Sequence, residues 1–184
     1  CGHLLISHTD AHRLVMQLPD CNRSYVMPPL GSPSAFDMPT GLATAGDRLY
    51  LADTGHRRIV VLRLPSLEVC GEITLGLQRP SGLALDSRHR LYVLDARVTP
   101  AIRRLLADDC TDTAYDQTMA THAQLAKPVA IAIGDDDMLY VSDRNTQQVY
   151  VFDPSGNCVG SPMTSLGMQP GALAGTAGQL YVAD

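Results

Sequence analysis

Aspartate residues recur at long intervals along the chain, each directly after a short hydrophobic run. The sequence LYLAD ends at Asp53, LYVLD at Asp95, LYVSD at Asp143 and LYVAD at Asp184. Carboxylates gathered from several repeats could hold a cation. An aspartate that follows a strand can also cap the next turn by accepting backbone hydrogen bonds. Because the aspartate recurs in every copy, we predict the structural, turn-capping role for all four.

Histidine replaces this aspartate in one copy, since residues 3–16 align without gaps on residues 48–61 and His8 falls on the aspartate position. His8 and His12 are four residues apart, a spacing that binds zinc on a helix. Here the segment is predicted to be strand, turn and strand, so the two side chains point in different directions. The motifs HExxH and GxSxG and a phosphate-binding loop are absent. The sequence therefore predicts no catalytic residue, no metal site and no cofactor.

Two acidic stretches are further candidates. Residues 106–126 form a polar and acidic departure from the repeat, which we predict to be a projecting loop that contacts a partner or only a solvated connection. Residues 135–137 are three aspartates, but they fall in a predicted hairpin turn and lack the spacing of an EF-hand loop. The candidate interaction residues of the projecting loop are Asp108, Asp109, Asp112, Tyr115 and Asp116.

The cysteines bear on the cellular compartment. Four of the five follow the strand-end positions by 13 to 17 residues, so they occupy similar places in successive repeats. Such places are too far apart for a disulfide, and no CxxC pair is present. Free thiols favour a reducing compartment, and the sequence from Cys1 onward shows no signal peptide, so we expect a cytoplasmic location. These four cysteines are Cys21, Cys70, Cys110 and Cys158.

Charge and composition weigh against two classes of partner. The chain has 14 basic and 19 acidic residues, and Trp is absent while Phe occurs twice. Single-stranded nucleic acid binding needs clustered cations and exposed aromatic rings, so RNA is not the expected partner. No apolar run approaches the 18 residues of a membrane span. The arginines considered for an RNA-binding rim are Arg57, Arg58, Arg88, Arg90, Arg97, Arg103 and Arg104.

The elements that position these residues repeat with the same rhythm. The strand-end positions are 45, 42, 48 and 41 residues apart, and the prolines at 39, 80, 128 and 170 are 41, 48 and 42 apart. One period is predicted to hold four short strands, at about 41–45, 48–52, 58–62 and 69–75. Four short strands in a period of this length are typical of a β-propeller blade.

The motifs PxGLA, LYLAD and DxGHxRIVV resemble NHL repeats, and the resemblance covers essentially the whole chain. It implies a six-bladed propeller of four-stranded antiparallel blades that serves as a binding platform for proteins, RNA or ligands, with a minority of related enzymes. Two copies depart from the pattern. The third-strand arginine, Arg58 in one copy, is replaced by Gln148 in another and by Ala101 in the copy after Asp95. An aspartate–arginine pair is therefore not expected in every blade.

We predict an all-β fold, a propeller segment with about four blades. Counting strands gives 17, one more than a closed four-bladed ring holds, so we expect the intact ring to have six blades and the chain to continue into further blades or domains beyond both ends. The predicted divisions are a partial blade at 1–37, blades at 38–78, 79–126 and 127–168, and a partial blade at 169–184.

Three functions are compatible with this fold. The main hypothesis is a non-catalytic binding or scaffolding propeller with a protein partner, because the repeat itself explains each chemically suggestive residue. The first alternative is a metal-dependent lyase or lactonase-type propeller enzyme, as the resemblance allows. Such an enzyme needs metal ligands on the inner strands, where Asp86 is the only carboxylate. The second alternative is a surface-recognition component of a phage-tail-like assembly.

Overall fold

The computed structural model describes residues 3–18, 24–27, 36–74, 76–96, 100–106, 115–119, 125–163, 169–176 and 178–184. Within these residues the fold is all-β, with five antiparallel sheets, called sheets 1 to 5 in chain order. Sheet 1 has three strands, sheets 2, 3 and 4 have four strands each, and sheet 5 has two. The strands are β1 Leu4–His8, β2 Arg13–Gln17, β3 Ser24–Met27, β4 Pro39–Ala45, β5 Arg48–Asp53, β6 Arg58–Arg63, β7 Glu68–Ile73, β8 Pro80–Leu85, β9 Arg90–Asp95, β10 Ala101–Leu106, β11 Tyr115–Met119, β12 Pro128–Ile133, β13 Leu139–Asp143, β14 Gln148–Phe152, β15 Cys158–Met163, β16 Leu173–Thr176 and β17 Gln179–Val182.

Each sheet is built in chain order, so every strand pairs with the strand that follows it in the sequence. The predicted all-β propeller fold is confirmed, and the strands predicted in the second period correspond to β4, β5, β6 and β7. In each sheet the first strand ends, and the second strand begins, at the same end of the sheet, which we call the turn end. The first strand begins with its proline at the opposite end, which we call the proline end. The blade boundaries and the six-bladed ring remain predictions.

The second strand of each four-stranded sheet lies in the core because its residues are apolar on both faces. Strands β5 and β9 are buried along almost their whole length, and Tyr50 and Tyr92 are only 2% and 1% exposed. Side chains from neighbouring sheets form three hydrophobic clusters that run between successive sheets. Since each buried tyrosine removes about 150–250 Å² from water, face-to-face packing of the sheets supplies the main stabilisation.

The same positions are exposed where the described chain provides no neighbouring sheet. Leu4 on β1 is 60% exposed, whereas its equivalent Leu49 is fully buried against sheet 1. Tyr181 on β17 is 56% exposed, whereas its equivalent Tyr50 packs against sheet 3. Burial at these positions is therefore set by the adjacent sheet rather than by the strand itself.

Turns of the same type repeat from sheet to sheet with a left-handed residue at the same place. The turn between the second and third strands has φ values of 54° at His12, 57° at Arg57 and 58° at Gln147. An L-residue other than glycine in this region costs about 1–2 kcal/mol. The turns between first and second strands share the feature, at Gly46, His89, Asp137 and Gly178.

The outermost strand of each four-stranded sheet has an irregularity at the same place. The register shifts between Val61 and Leu62, between Arg104 and Leu105, and between Val151 and Phe152. A bulge bends and twists the strand that carries it or faces it. The twist makes the exposed outer edge a poor template for pairing with another strand, which protects each sheet from edge-to-edge aggregation.

Two adjacent glutamines test the turn geometry. Gln147 is exposed with φ of 58°, whereas its neighbour Gln148 pairs with Asp143 inside the ladder. We expect Gln147→Gly to raise the free energy of unfolding by about 0.5–1 kcal/mol, because glycine adopts this φ without strain. The matched control Gln148→Gly is expected to lower it by about the same amount. Urea unfolding of both variants measures the difference, and a loss of stability in Gln147→Gly would contradict the assignment.

Candidate functional site

The first strands of sheets 2, 3 and 4 lie side by side and approach one another closely near the proline end. A Cβ atom added to Gly41 would lie 2.3 Å from the carbonyl oxygen of Ser81, and one added to Gly82 would lie 2.7 Å from Cγ2 of Ile131. No side chain fits at either position, so glycine is required for neighbouring first strands to pack at this distance. These strands line the interior of the propeller segment.

A cavity of about 430 Å³ opens at the proline end of these strands, and we call it the channel-mouth cavity. Its walls come from three successive first strands and one turn of sheet 1. The lining contains hydroxyl groups, glycines and aliphatic side chains and has no ionisable group. The lining residues are Thr9, Thr40, Gly41, Leu42, Ser81, Gly82, Leu83, Val129, Ala130 and Ile131.

Hydroxyl groups next to the strand-end position join one sheet to the next around this cavity. Thr9 donates to the carbonyl oxygen of Pro39 at 2.8 Å, and Thr54 donates to that of Pro80 at 2.7 Å. On the other side of the strand-end position, Ser142 donates to the carbonyl oxygen of Gly171 at 2.7 Å. These hydroxyl hydrogens are used within the fold, so the groups offer mainly acceptor lone pairs to a ligand.

The strand-end aspartates Asp53, Asp95 and Asp143 are completely buried and each receives several hydrogen bonds, whereas Asp184 is exposed. Asp53 accepts from the Asp37 amide at 2.6 Å, from Arg58 Nε at 2.7 Å, and lies 2.9 Å from Nδ1 of His56. Burial alone would lower the pKa of Arg58, but the hydrogen bond and charge of Asp53, together with Glu72, raise it. The amide of Gly55 donates to the Asp37 carbonyl oxygen at 2.8 Å, so the expected capping of this turn by Asp53 is replaced by a contact to the segment before β4.

Asp95 has an arginine partner that the repeat alignment did not predict. Ala101 is paired with Asp95 in the register, as expected, but Arg103 lies on the same face two residues further. Arg103 Nε is 3.7 Å from Oδ2 of Asp95, and both side chains are nearly buried. Asp95 also accepts from the amides of Gln78 and Arg79, at 3.2 and 2.6 Å. The arginine of this copy comes from two residues beyond the aligned position, because a long side chain reaches across that distance.

Asp143 is satisfied by backbone groups. Its carboxylate accepts from the amides of Ala126 and Lys127 before β12 and from those of Asn145 and Thr146 in its own turn, at 2.7 to 3.0 Å. Four amide donors take the place of the arginine, which is Gln148 here. Asp184 accepts from the amide of Gln169, the equivalent contact in sheet 5.

His8 performs the turn-capping function in the copy that lacks aspartate. Its Nδ1 accepts a hydrogen bond from the Ala11 amide at 3.2 Å, which matches the bond from Thr146 to Asp143. His12 instead lies against the segment before β4, where its Nδ1 accepts from the Met38 amide at 3.0 Å. The two histidines have separate contacts, as predicted.

The remaining acidic candidates are described only in part. Asp108, Asp109 and Asp112 lie outside the described residues. Tyr115 and Asp116 belong to β11, so the expected loop over 106–126 was wrong at these two positions, because the outer strand of sheet 3 pairs with β10 there. Asp86, the only inner carboxylate, is buried and accepts from the amides of Arg88 and Arg90 at 3.0 and 2.8 Å.

The three-aspartate turn links neighbouring sheets. Asp137 accepts from the amide of Ser87 at 2.9 Å and from its hydroxyl at 2.6 Å. Asp135 accepts from the amide of Gly178 at 3.0 Å. The turn therefore contacts the equivalent turns of the sheets on both sides. The hydrogen bonds from the Ser87 side chain and backbone lower the pKa of Asp137.

The arginines considered for an RNA-binding rim are divided between the two ends of the sheets. Arg57 lies in a turn at the proline end, whereas Arg88 and Arg90 lie in a turn at the turn end. Arg103 and Arg104 are buried between sheets. Arg97 lies outside the described residues. These positions form no continuous basic rim.

The signal for the channel-mouth cavity was present in the sequence but not recognised. The residues beside the strand-end positions include four with hydroxyl groups, Ser7, Thr9, Thr54 and Ser142. Their partners are carbonyl groups of another sheet, and no local pattern identifies such partners.

A larger cavity of about 960 Å³ lies between sheet 4 and the β16–β17 hairpin and is lined in part by Asp136, Tyr140 and Val159.

Comparisons with known proteins support the fold. No protein-family model matches the chain, and no curated protein sequence matches it, so the specific resemblance to NHL repeats is not confirmed. The chain superimposes on virginiamycin B lyase from Staphylococcus aureus with a TM-score of 0.76 and 18% identity, over 99% of this chain and 59% of the lyase. A candidate gluconolactonase gives a TM-score of 0.81 and 19% identity, over 99% of this chain and 67% of the other. A chain of a nidogen–laminin complex gives 0.70 and 16%, over 99% and 85%.

These matches define the class of protein as a β-propeller. They also correct the main functional hypothesis, since a lyase and a candidate lactonase are among the similar propellers and weigh against a non-catalytic scaffold. The chain spans about three fifths of the length of the lyases that it matches. Within the described residues, no helix is long and apolar enough to cross a membrane.

We propose that the buried aspartates are structural, and Asp143 provides a test. Asp143→Ala leaves four amide donors without their acceptor, so the free energy of unfolding is expected to fall by about 3–5 kcal/mol. Asp153→Ala is the control, because Asp153 accepts amide hydrogen bonds only within its own exposed turn. Urea unfolding compares the two variants. An equal, small effect of both would contradict the proposal.

The contact between Asp137 and Ser87 predicts acid sensitivity. Because the pKa of Asp137 is lowered in the fold, its contribution is present above the pKa of the unfolded chain, about 4, and is lost as the pH falls through the folded value. In Asp137→Asn, the melting temperature is expected to fall less steeply than in the unchanged protein as the pH is lowered into the acid range. Asp47→Asn, an equal charge change in the equivalent turn of sheet 2, is the control. If the melting temperature of Asp137→Asn fell with decreasing pH as steeply as that of the unchanged protein, the prediction would be refuted.

Proposed function

We propose that this chain forms part of a propeller enzyme of the lyase or lactonase type, with its small-molecule ligand bound at the channel-mouth cavity. The observation that carries the proposal is the match, over 99% of the chain, to lyases and a candidate gluconolactonase. The cavity supports it independently. It is concave, lies where four sheets meet and combines apolar walls with a few polar groups, as small-molecule sites do.

The chemistry of the lining assigns these sheets a binding role in that enzyme. Thr40 donates its hydroxyl hydrogen to the Ser81 carbonyl oxygen at 2.9 Å, and Ser81 donates to that of Leu94 at 3.2 Å. Neither hydroxyl has a histidine or carboxylate beside it in the lining that could act as a general base. The lining orients a ligand and excludes water from one side of it.

A metal ion does not fit the described residues. No group of three His, Cys, Asp or Glu side chains comes together in this part of the chain, and the strand-end carboxylates already bind amides and arginines. The inner carboxylate Asp86 is occupied in the same way. The metal-dependent form of the hypothesis is therefore not supported by these sheets, and we derive no step through a metal.

A protein partner is a second proposal. The similarity to a propeller in a nidogen–laminin complex supports it, since that propeller takes part in a protein assembly.

The cytoplasmic location also stays a prediction, for which the half-buried free thiols of Cys70 and Cys158 are the support. Cys21 and Cys110 lie outside the described residues.

Turnover by the purified protein tests the enzyme proposal. The structure of a similar lyase was solved with quinupristin. The purified protein is therefore incubated with quinupristin and, separately, with glucono-lactone, and the masses of the products are measured by mass spectrometry. A lactonase adds one water to the ring-opened product, whereas a lyase leaves its mass unchanged. We expect ring opening of at least one substrate.

A pair of valine substitutions locates the activity. Val129→Phe fills the channel-mouth cavity and is expected to reduce turnover by at least about tenfold, which corresponds to about 1.4 kcal/mol of lost binding. Val159→Phe makes the same change at an exposed position of β15 and is expected to leave turnover unchanged. No ring opening of either substrate, or equal activity of the two variants, would contradict the proposal.

A further inference from the structure

Three exposed cations lie at the proline end of sheets 3 and 4, the end at which the channel-mouth cavity opens. Arg79 and Lys127 directly precede Pro80 and Pro128, the first residues of two strands that line it, and Arg144 directly follows Asp143. All three side chains are exposed. They lie on two neighbouring sheets at the proline end. Lys127 is the only lysine in the sequence.

The backbone holds these residues in fixed positions. The amide of Lys127 donates to the buried carboxylate of Asp143 at 2.8 Å, and the amide of Arg144 donates to the carbonyl oxygen of Lys127 at 3.1 Å. In sheet 3 the amide of Arg79 donates in the same way to Asp95 at 2.6 Å. Since the buried aspartates anchor the cationic residues, little backbone freedom is lost when a ligand binds.

Arg144 extends toward the next sheet. One terminal nitrogen of its guanidinium group is 3.9 Å from the place where a Cβ atom of Gly171 would lie. Gly171 has no side chain to occupy this space. The nearby carboxylate of Asp184 accepts a hydrogen bond from the Gln169 amide. The guanidinium therefore lies at the junction of sheets 4 and 5.

The three cations have no ion-pair partner among the described residues, unlike other arginines of the repeat. Arg58, Arg90 and Arg103 each lie beside a buried aspartate. The equivalents of Lys127 are Met38 and Gln169, and the equivalents of Arg144 are Thr9 and Thr54. The fold does not require a cation at either place, which favours a role in binding.

We propose that Arg79, Lys127 and Arg144 form an anion subsite at the rim of the channel-mouth cavity. It binds a carboxylate or phosphate group of a ligand whose remaining part lies in the cavity. Arginine offers paired donors to such a group, and lysine offers a point charge. This inference rests on the proposed function and narrows it, since the substrate would carry a negative charge.

Two probes are used, inorganic phosphate and gluconate, each titrated at low ionic strength and followed by calorimetry. The double variant Lys127→Gln with Arg144→Thr replaces both cations by residues that other copies of the repeat carry at the equivalent positions, Gln169 and Thr54. The control variant, Arg63→Gln with Arg88→Gln, makes an equal charge change at the turn end. We expect the first variant to weaken binding by at least about tenfold and the control by less than about twofold, because only the first removes direct contacts. Equal affinity of the unchanged protein and of both double variants for phosphate and gluconate would overturn the proposal.

The single lysine gives a readout that needs no variant. Acetylation of the Lys127 amine in the native protein is followed by mass spectrometry, and phosphate or gluconate is expected to slow it by at least about fivefold, while the N-terminal amine serves as the internal reference. Equal modification rates with and without anion would refute the subsite. Neither readout depends on turnover. Protection without turnover would leave the subsite standing and remove the enzyme proposal, and turnover without protection would do the reverse.

Discussion

The buried carboxylate at the end of the second strand in sheets 2, 3 and 4 is the constraint on which the structure depends. An ionised group removed from water needs hydrogen-bond donors on every side, and the sheets supply them in different ways. Asp53 has arginine, histidine and amide partners, Asp95 has arginine and amides, and Asp143 has four amides. In each case at least one donor belongs to the segment that leads into the first strand. The carboxylate thus holds the beginning and the middle of its sheet together.

This arrangement separates the fixed residues of the proline end from the variable ones. Glycines and hydroxyls join neighbouring first strands, and the strand-end aspartates hold the segments before them. The side chains between these contacts are free to change without loss of fold. Met38, Arg79, Lys127 and Gln169 occupy equivalent places and share no property except exposure. A rigid frame that carries variable side chains around a cavity is suited to ligand binding.

The fold could be predicted from the sequence because the repeat marks its own strands. Proline, apolar run and aspartate recur at fixed places, and β4, β5 and β6 lie within two residues of their expected bounds. The partner of Asp95 could not be predicted, because Arg103 reaches it by side-chain length and not by alignment. The position of β11 was not predicted, because polar residues such as Asp116 and Gln117 interrupt the apolar pattern of the repeat. The cavity was missed because its walls come from four repeats.

Amide hydrogen exchange followed residue by residue tests the central claim most directly. The claim is that the buried aspartates fix the segments that carry the rim of the cavity. The amides of Arg79 and Lys127, which donate to Asp95 and Asp143, are then expected to exchange as slowly as amides in the middle of β9 and β13, although both residues are exposed. Exchange of these two amides at the rate of an open loop would contradict the account.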